Sequence, residues 1–313
     1  MLVSIVVPCY NSEHTISDLV ELTIQTLQNS YPDYGVEFVL VNDYSKDHTM
    51  DIIRSLCQKY SFVKGICLAK NFGQHNAIMA GLQYAQGDLI VGMDDDMQTH
   101  PSQLPILLAK IQEGYDLVYG QYPVRKNSFF KNITSKFNAV TSRILLGRPK
   151  TIVSSNYWVI NRMVRDEVIK YRSFNPYVDA IFYRVTHNIA DVPIEHFKRE
   201  YGSSNYTFRK LVKLWFAYFS FSAVPLRISS LMGILLSSIG FLAALAVLIR
   251  QLIAPSSQLG WASIMCAMFL FFGFVLMALG IIGEYLGKII LTLNATPQYV
   301  IRETLNAKKE EAS

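Results

Sequence analysis

The chain has 313 residues, of which 51% are hydrophobic and 17% are charged, and its formal net charge is +5. Its mean hydropathy of +0.22 excludes a simple soluble enzyme, so membrane segments have to be sought first. The length allows two domains of ordinary size, or one domain and an appendage.

Short apolar runs alternate with helical stretches through the first 122 residues. The runs are rich in Val, Ile and Leu with little alternation, which is typical of strands covered on both faces. Strands that alternate with helices predict an α/β fold with a mostly parallel sheet. Asn11 or Ser12 is placed to cap the first helix. The apolar face of that helix is expected to consist of Ile16, Leu19, Val20, Thr23 and Leu27.

The loops that follow the strands of a parallel sheet meet at one edge, and ligands bind there. Four such loops are expected at residues 9–12, 42–47, 70–75 and 94–101. The sequence therefore places the candidate site at this edge of the sheet.

Three carboxylates, Asp94, Asp95 and Asp96, stand side by side in the last of these loops. A divalent cation can compensate their repulsion, since Mg²⁺ or Mn²⁺ prefers oxygen ligands and Mg²⁺ bridges carboxylates to substrate phosphates. Alternate side chains of an extended backbone project the same way, so Asp94 and Asp96 can share a task while Asp95 points elsewhere. The alternative is a solvated acidic turn or helix start.

Asn42 and Asp43 end the second apolar run in the same manner. A carboxylate at this place can accept hydrogen bonds from a ribose or a base, although a simple turn explains the residues equally well. The sequence has neither G-x-x-x-x-G-K-[ST] nor G-x-G-x-x-G. If phosphates bind here, a metal and basic side chains have to hold them.

Residues 123–205 indicate two or three helices and a strand near DVPIEHF, and the run KREYGSSNY follows. Its dense donors suit a cluster of anionic oxygens, although basic residues beside a membrane also attract lipid headgroups without any specific site. Arg125 and Lys126 can add positive charge. The donors of the run are Lys198, Arg199, Ser203, Ser204 and Tyr206.

The last third of the chain predicts a membrane region. TFRKLVKLWFAYFSF is typical of a basic amphipathic helix in the membrane interface, with a buried core helix as the alternative. Residues 228–249 and 263–282 carry no charge, and each reaches the ~20 residues that a span needs. Lys and Arg flank the pair, which predicts that both termini are cytosolic. The start, MLVSIVVPCYN, has no basic n-region of a signal peptide, in agreement with a cytosolic first domain.

Taken together, these motifs resemble those of the family 2 glycosyltransferases that load sugars onto polyprenyl phosphates. The resemblance covers nearly the whole chain. It implies a GT-A fold, a nucleotide-diphosphate sugar donor and a divalent metal, Mg²⁺ or Mn²⁺. The motifs that carry it are VVPCYN, VNDYSKDHT, KNFGQHNAIMAGLQYAQGDLI, MDDDMQTHP and KREYGSSNYTFRKL, in that order.

The resemblance also implies roles for individual residues. Asp94, Asp96 and Arg199 are the expected catalytic residues. The expected metal ligands are Asp94, Asp96 and Gln98. The expected donor-binding residues are Pro8, Tyr10, Asn11, Asp43, Lys70, Asp94 and Asp95. The expected acceptor-phosphate residues are Arg125, Lys198, Arg199, Ser203, Ser204 and Tyr206.

A few positions depart from the family pattern. The run Asn42-Asp43-Tyr44-Ser45 stands in place of the usual Asp-Asp-Gly-Ser, so both the first aspartate and the glycine are replaced. Lys70 stands in place of an arginine. Val153 lies near the place of a common aspartate, and Ser155 replaces a glycine. The region around Val153 and Ser155 shapes the sugar and acceptor pocket, so the sugar can differ from that of the relatives.

We therefore expect a metal-dependent inverting glycosyltransferase at the cytoplasmic face of the inner membrane. Its expected donor is UDP-linked, its acceptor is undecaprenyl phosphate, and it assembles as a homo-oligomer such as a tetramer. The expected parts are a cytosolic GT-A catalytic domain (1–205), an interfacial amphipathic segment (206–226), two transmembrane helices (227–290) and a cytosolic tail (291–313).

Two alternatives stay open at this point. A processive polysaccharide synthase of the same fold would carry Q-x-x-R-W and more spans. A non-catalytic membrane partner would bind the nucleotide sugar without turnover. Nucleic acid is not an expected partner, since no nucleic-acid-binding motif appears in the chain.

Overall fold

The structure is a computed structural model, and it describes residues 1–122, 143, 148–149, 151–195, 197, 224–253 and 261–307. The chain divides into two compact units. Unit 1 comprises Met1–Thr207 together with Thr296–Ser313, and unit 2 comprises Phe208–Ala295.

The described residues of unit 1 form an eight-stranded sheet with the order β7-β5-β6-β4-β1-β2-β3-β8. Six of these strands run in one direction, and β6 and β8 run against them. The mostly parallel sheet that the sequence predicts is therefore confirmed. The strands are β1 (Leu2–Cys9), β2 (Gly35–Asn42), β3 (Val63–Leu68), β4 (Leu89–Gly92), β5 (Leu117–Gln121), β6 (Trp158–Asn161), β7 (Ile189–Pro193) and β8 (Ile301–Leu305).

Helices alternate with the strands in the first half of the chain, and their apolar faces pack on the sheet. The α-helices of the described residues in unit 1 are α1 (Ile16–Ser30), α2 (Thr49–Lys59), α3 (Gln74–Tyr84), α4 (Leu104–Ile111), α5 (Arg162–Val168) and α6 (Val178–Val185). A Cβ at Gly81 of α3 would lie 2.4 Å from Val6 Cγ1, so only glycine permits this close contact between helix and sheet.

The predicted apolar face of α1 is confirmed, since all five of its residues are buried. The predicted cap is wrong, because α1 begins at Ile16 and its N-cap residue is Thr15. A tight turn precedes the helix, in which the Ser12 carbonyl accepts from the backbone N–H groups of Thr15 and Ile16, both at 3.1 Å. The Asn11 side chain accepts instead from Lys46 N (3.0 Å) in the next loop.

The chain returns to unit 1 at its carboxyl end, which the sequence did not predict. Strand β8 pairs antiparallel with β3. Arg54 of α2 forms an ion pair with Glu303 at 2.8 Å, and Asn306 Nδ2 donates to the Cys57 carbonyl at 2.7 Å. Residues 301–305 of the predicted tail therefore belong to the sheet, while the four-part division of the chain stays a prediction.

Unit 2 contains two long helices in its described residues, α7 (Val224–Ile253) and α8 (Trp261–Leu293). Within the described ranges, one stretch is long and apolar enough to cross a membrane, Phe271–Leu293 of α8. α7 contributes a shorter apolar stretch, Leu226–Leu236. The first predicted span is thus not confirmed, and the predicted interfacial segment lies almost entirely outside the described residues.

His75 of α3 and Asp179 of α6 are partly buried groups whose pKa values shift in opposite directions. Burial lowers the pKa of His75 to about 4 and raises the pKa of Asp179 to about 6. An unfolded histidine takes up its proton near pH ~6.5, so His75 costs stability as the pH falls from that value towards 4. Asp179 costs stability as the pH rises from ~4 towards 6, because the folded state keeps the proton longer.

We expect His75→Phe to lose less stability than the wild type between pH 7 and pH 5. At pH 5 the wild type should have lost about 2 kcal/mol more of its free energy of unfolding than the variant. The reason is that the unfolded wild type takes up a proton on His75 and the folded state does not. Asp179→Asn should show the opposite sign, with the wild type gaining stability relative to it at pH 5. Unfolding of the detergent-solubilised protein at both pH values measures this, and parallel curves for wild type and His75→Phe would contradict the assignment.

Candidate active site

The loops predicted to form the site lie at one edge of the sheet, which we call the carboxyl edge (residues 9–12, 42–48, 70–74, 93–100 and 155–157). β1 to β4 are parallel and adjacent in the sheet, so all four end there. β5 and β7 end at the same edge, while β6 and β8 begin there. The topology thus brings residues that are far apart in sequence to one place.

Hydrogen bonds fasten the first loop to the second. Asn11 N donates to Ser45 Oγ at 3.0 Å, Lys46 N donates to Asn11 Oδ1 at 3.0 Å, and Ser12 N donates to Thr49 Oγ1 at 2.8 Å. Asn11 therefore joins the first loop to the second through its backbone and its side chain.

Two other expected donor-binding residues differ in their surroundings. Pro8 is buried in β1, opposite Val41 of β2. Lys70 is exposed, and its Nζ lies 5.0 Å from the centre of the Phe72 ring. Lys70 therefore places an exposed positive charge at the carboxyl edge, whereas Pro8 belongs to a buried strand.

Asp43 fastens the third loop to the second strand. Its two carboxylate oxygens accept from the backbone N–H groups of Phe72 (2.7 Å) and Gly73 (2.8 Å). Burial raises the pKa of Asp43, and these two hydrogen bonds counteract that effect. The carboxylate thus holds the loop in front of α3 at the carboxyl edge.

We expect Asp43→Ala to lower the free energy of unfolding by about 2–4 kcal/mol, because two backbone N–H groups lose their acceptors. The freed loop should also weaken binding of the expected nucleotide donor, which calorimetry measures alongside thermal unfolding. Asp43→Asn keeps one acceptor and is the matched control with a smaller loss. Unchanged melting of Asp43→Ala would contradict the clamping role.

Asp94 is held by two side-chain amides from different parts of the chain. Gln74 Nε2 at the start of α3 donates to Asp94 Oδ1 at 2.7 Å, and Asn156 Nδ2 in front of β6 donates to Asp94 Oδ2 at 2.8 Å. Its backbone N–H donates to Thr99 Oγ1 at 2.9 Å. Both carboxylate oxygens are therefore oriented before any ligand binds.

Asp95 turns towards the first loop. Its Oδ2 accepts from Tyr10 N at 2.9 Å, and its carbonyl accepts from Thr15 Oγ1 at 2.5 Å. Burial raises the pKa of Asp95 to about 6, and the charge of Asp96 acts in the same direction. Asp95 therefore links the acidic loop to Tyr10, whose side chain is 47% exposed.

Asp96 and Gln98 lie on either side of a buried turn residue, Met97. Asp96 Oδ1 accepts from Gln98 N at 3.1 Å, and the Gln98 carbonyl accepts from the Tyr122 hydroxyl at 3.5 Å. Burial raises the pKa of Tyr122, and the charges of Asp94 and Asp96 raise it further. The phenol therefore remains a neutral donor beside the acidic loop.

Three residues other than glycine adopt left-handed backbone at the carboxyl edge, one in each of three loops. They are Asn11 (φ 55°), Tyr44 (φ 60°) and Met97 (φ 61°). This conformation costs an L-residue about 1–2 kcal/mol, and asparagine tolerates it best. The strain at Tyr44 gives a physical reason for the glycine that the family pattern has at this position. Strained backbone of this kind concentrates at functional sites.

The residues present fit a cation that is shared with a phosphate ligand. Among the described residues, no three His, Cys, Asp or Glu side chains form a ready-made cation site. Mg²⁺ usually needs only one or two protein carboxylates, because substrate phosphates and waters complete its coordination. Asp96 and Gln98 carry oxygen atoms of the kind that such a cation prefers, and Asp94 precedes Asp96 by two residues in the same loop.

The chain reaches the carboxyl edge again directly before the basic run. The rings of His100 and Phe197 stack with centroids 4.1 Å apart and planes at 17°, and Glu195 N donates to Gln103 Oε1 at 3.1 Å. The expected acceptor-phosphate residues themselves lie outside the described residues: Arg125, Lys198, Arg199, Ser203, Ser204 and Tyr206.

The residues that orient the acidic loop could not be identified from the sequence motifs. Gln74 lies within the predicted loop at residues 70–75, so its place at the edge was a usable signal. Asn156 directly follows Ser155, one of the departures from the family pattern. Its contact with Asp94 required the antiparallel strand β6, for which the sequence contains no hairpin signal.

A family model described as "Glycosyl transferase family 2" matches residues 4–172. The chain is 31% identical to the undecaprenyl-phosphate 4-deoxy-4-formamido-L-arabinose transferase of Proteus mirabilis (strain HI4320) over 312 residues, which cover 98% of this chain and 95% of the relative.

Solved structures share the fold at low sequence identity. Glucosyl-3-phosphoglycerate synthase from Mycobacterium tuberculosis, in complex with phosphoglyceric acid, superposes with a TM-score of 0.51 at 20% identity, covering 71% of this chain and 80% of that one. A crystal structure of the same synthase contains Mn²⁺, uridine-diphosphate-glucose and phosphoglyceric acid. That structure has a TM-score of 0.50 at 19% identity, with 74% and 79% covered.

Proposed function

Because this chain belongs to glycosyl transferase family 2 and unit 1 has the GT-A fold, we propose the following reaction. The enzyme transfers a sugar from a UDP-linked donor to undecaprenyl phosphate at the cytoplasmic face of the inner membrane. The name of the Proteus relative supports the lipid acceptor, and the ligands of the mycobacterial synthase support the UDP-sugar.

One observation carries the proposal. The carboxyl edge holds the acidic loop, and Phe197, the last described residue before the basic run, stacks on His100 of that loop. A nucleotide sugar bound at this edge would therefore lie near the point where the sequence reaches the expected acceptor-phosphate residues.

The reaction is a displacement at the anomeric carbon, with inversion, by a phosphate oxygen of the lipid. A phosphomonoester with a second pKa near ~6 is already largely anionic at neutral pH, so it needs little help from a general base. A Mg²⁺ or Mn²⁺ ion held by Asp96 and Gln98, with Asp94 beside them, would act as a Lewis acid for the departing nucleoside diphosphate.

The protein's own share of catalysis is positioning and charge stabilisation. Asp94, oriented by Gln74 and Asn156, fixes the donor beside the cation ligands. Tyr10 offers an exposed ring to the nucleoside. On the acceptor side, Arg199 presents a guanidinium fork that matches phosphate oxygens, with the other donors of the basic run around it.

The path of the chain supports two membrane crossings. Unit 1 includes the residues on both sides of unit 2, so the segment between them has to cross the bilayer an even number of times. If α8 crosses at Phe271–Leu293, the 30-residue α7 is the described helix available for the return. Both termini would then be cytosolic, in agreement with the Lys and Arg residues that flank the two predicted spans.

The transferase explains the chain better than the alternatives do. A processive synthase needs more spans than unit 2 contains in its described residues, and membership of an enzyme family argues against a non-catalytic partner. The homo-oligomer, such as a tetramer, stays a prediction.

The direct test incubates the purified enzyme with undecaprenyl phosphate and a panel of labelled UDP- and GDP-sugars, with Mg²⁺ or Mn²⁺. We expect one UDP-sugar to yield a labelled lipid product that requires the cation. A soluble sugar product, or a polymer, would contradict the proposal.

A further inference from the structure

Tyr44 is fixed in a backbone conformation that suits glycine. Its φ is 60°, and hydrogen bonds hold the turn on both sides of it. Ser45 N donates to Asn42 Oδ1 at 3.0 Å, and the Asp43 carboxylate is bound to the third loop. Because its neighbours are fixed, position 44 has to remain left-handed whichever side chain it carries.

Tyr44 leaves much of its surface open to solvent. It is 43% exposed, so a large part of its ring is available for contact with a ligand. Glycine would adopt the same backbone without strain. A large, exposed ring on strained backbone therefore indicates a function in binding a ligand.

The surroundings of Tyr44 indicate what that ligand is. Ser45 Oγ accepts from Asn11 N at 3.0 Å, which places the Tyr44 turn beside the first loop. Tyr10 in that loop is 47% exposed, so two exposed tyrosines belong to adjoining loops of the carboxyl edge. Exposed aromatic rings of this kind stack on the flat faces of nucleobases and tolerate any base.

We propose that Tyr44 binds the nucleobase of the sugar donor through its ring and thereby sets donor affinity. This inference rests on the proposed function, which puts a nucleotide sugar at the carboxyl edge. The ring of Tyr44 then serves donor binding, at a position whose backbone conformation favours glycine.

Three substitutions separate the ring from the strain. Tyr44→Gly removes both, Tyr44→Ala removes the ring and keeps the strain, and Tyr44→Phe keeps both. UDP binding to the detergent-purified full chain is measured by titration calorimetry with Mn²⁺, with GDP in parallel. Pyrophosphate, which has no base, serves as the control ligand.

We expect the Kd for UDP to rise about tenfold in the Gly and Ala variants and to stay within about twofold in the Phe variant, the scale of losing one stacking contact. The Kd for pyrophosphate should not change. Tyr44→Gly should melt about 2 °C above Tyr44→Ala, because only glycine relieves the strain. The two variants then differ in melting temperature while their UDP binding is equally weak, so the loss of binding follows the ring and not the backbone strain.

Unchanged UDP binding in the Gly and Ala variants would overturn the inference. An equal loss for UDP and pyrophosphate would also overturn it, because it would trace the effect to a collapsed turn. A wild-type protein that binds neither UDP nor GDP would instead contradict the proposed function, so the two failures can be told apart.

Discussion

Replacing Asp96 with asparagine is expected to lower the rate of sugar transfer about 10³-fold, the scale of losing a group that stabilises charge in the transition state. The substitution would remove a charged cation ligand while keeping the size of the side chain. The amide oxygen can still accept from Gln98 N, which Asp96 Oδ1 does now at 3.1 Å. The loop, and with it the fold, should therefore survive.

Initial rates measured across a range of Mn²⁺ concentrations test this expectation, with thermal unfolding and membrane association as checks of the fold. Asp33→Asn is the matched control, because Asp33 is exposed in front of β2, at the opposite edge of the sheet. It should behave as the wild type. If the Asp96→Asn variant transferred sugar at the wild-type rate, Asp96 could not be a ligand of the cation.

Replacing Arg199 with alanine is expected to lower kcat/KM for undecaprenyl phosphate about 10²-fold, because loss of one partner of a charged hydrogen-bonded pair typically costs a few kcal/mol. The KM for the donor should change little. Arg199 follows Phe197 by two residues, and Phe197 stacks on His100 of the acidic loop. The described chain therefore reaches the acidic loop immediately before the sequence of the basic run begins.

Arg209→Ala distinguishes a phosphate site from a simple membrane anchor. Arg209 belongs to the predicted interfacial helix, so its loss should weaken membrane association without a selective effect on the acceptor. Arg199→Lys should keep the charge and recover part of the activity. Equal acceptor kinetics in Arg199→Ala and wild type would indicate that the basic run is only an anchor.

The central sheet could be predicted because its strands carry a strong local signal. In β1, seven of the eight residues are buried, and such continuous apolar runs between amphipathic helices indicate a parallel sheet. β8 could not be predicted in the same way. It is a half-exposed edge strand that contains Arg302 and Glu303, and it exists because β3 offers it an unpaired edge.

The location of the site could be predicted, because it follows from the topology of the sheet. Parallel strands bring the loops to one edge, so the place of the acidic loop followed from the order of elements. The partners of each carboxylate did not follow, because Asn156 reaches Asp94 through β6, 62 residues further along the chain. The left-handed backbone at Tyr44 was equally hidden, since the sequence shows only a departure from glycine there.

The cation and the pyrophosphate should occupy the same place, and an experimental structure with UDP and Mn²⁺ tests this most directly. The account predicts anomalous signal for manganese at Asp96 and Gln98, in contact with the diphosphate. Nucleotide bound away from the carboxyl edge, with no manganese at the acidic loop, would contradict it.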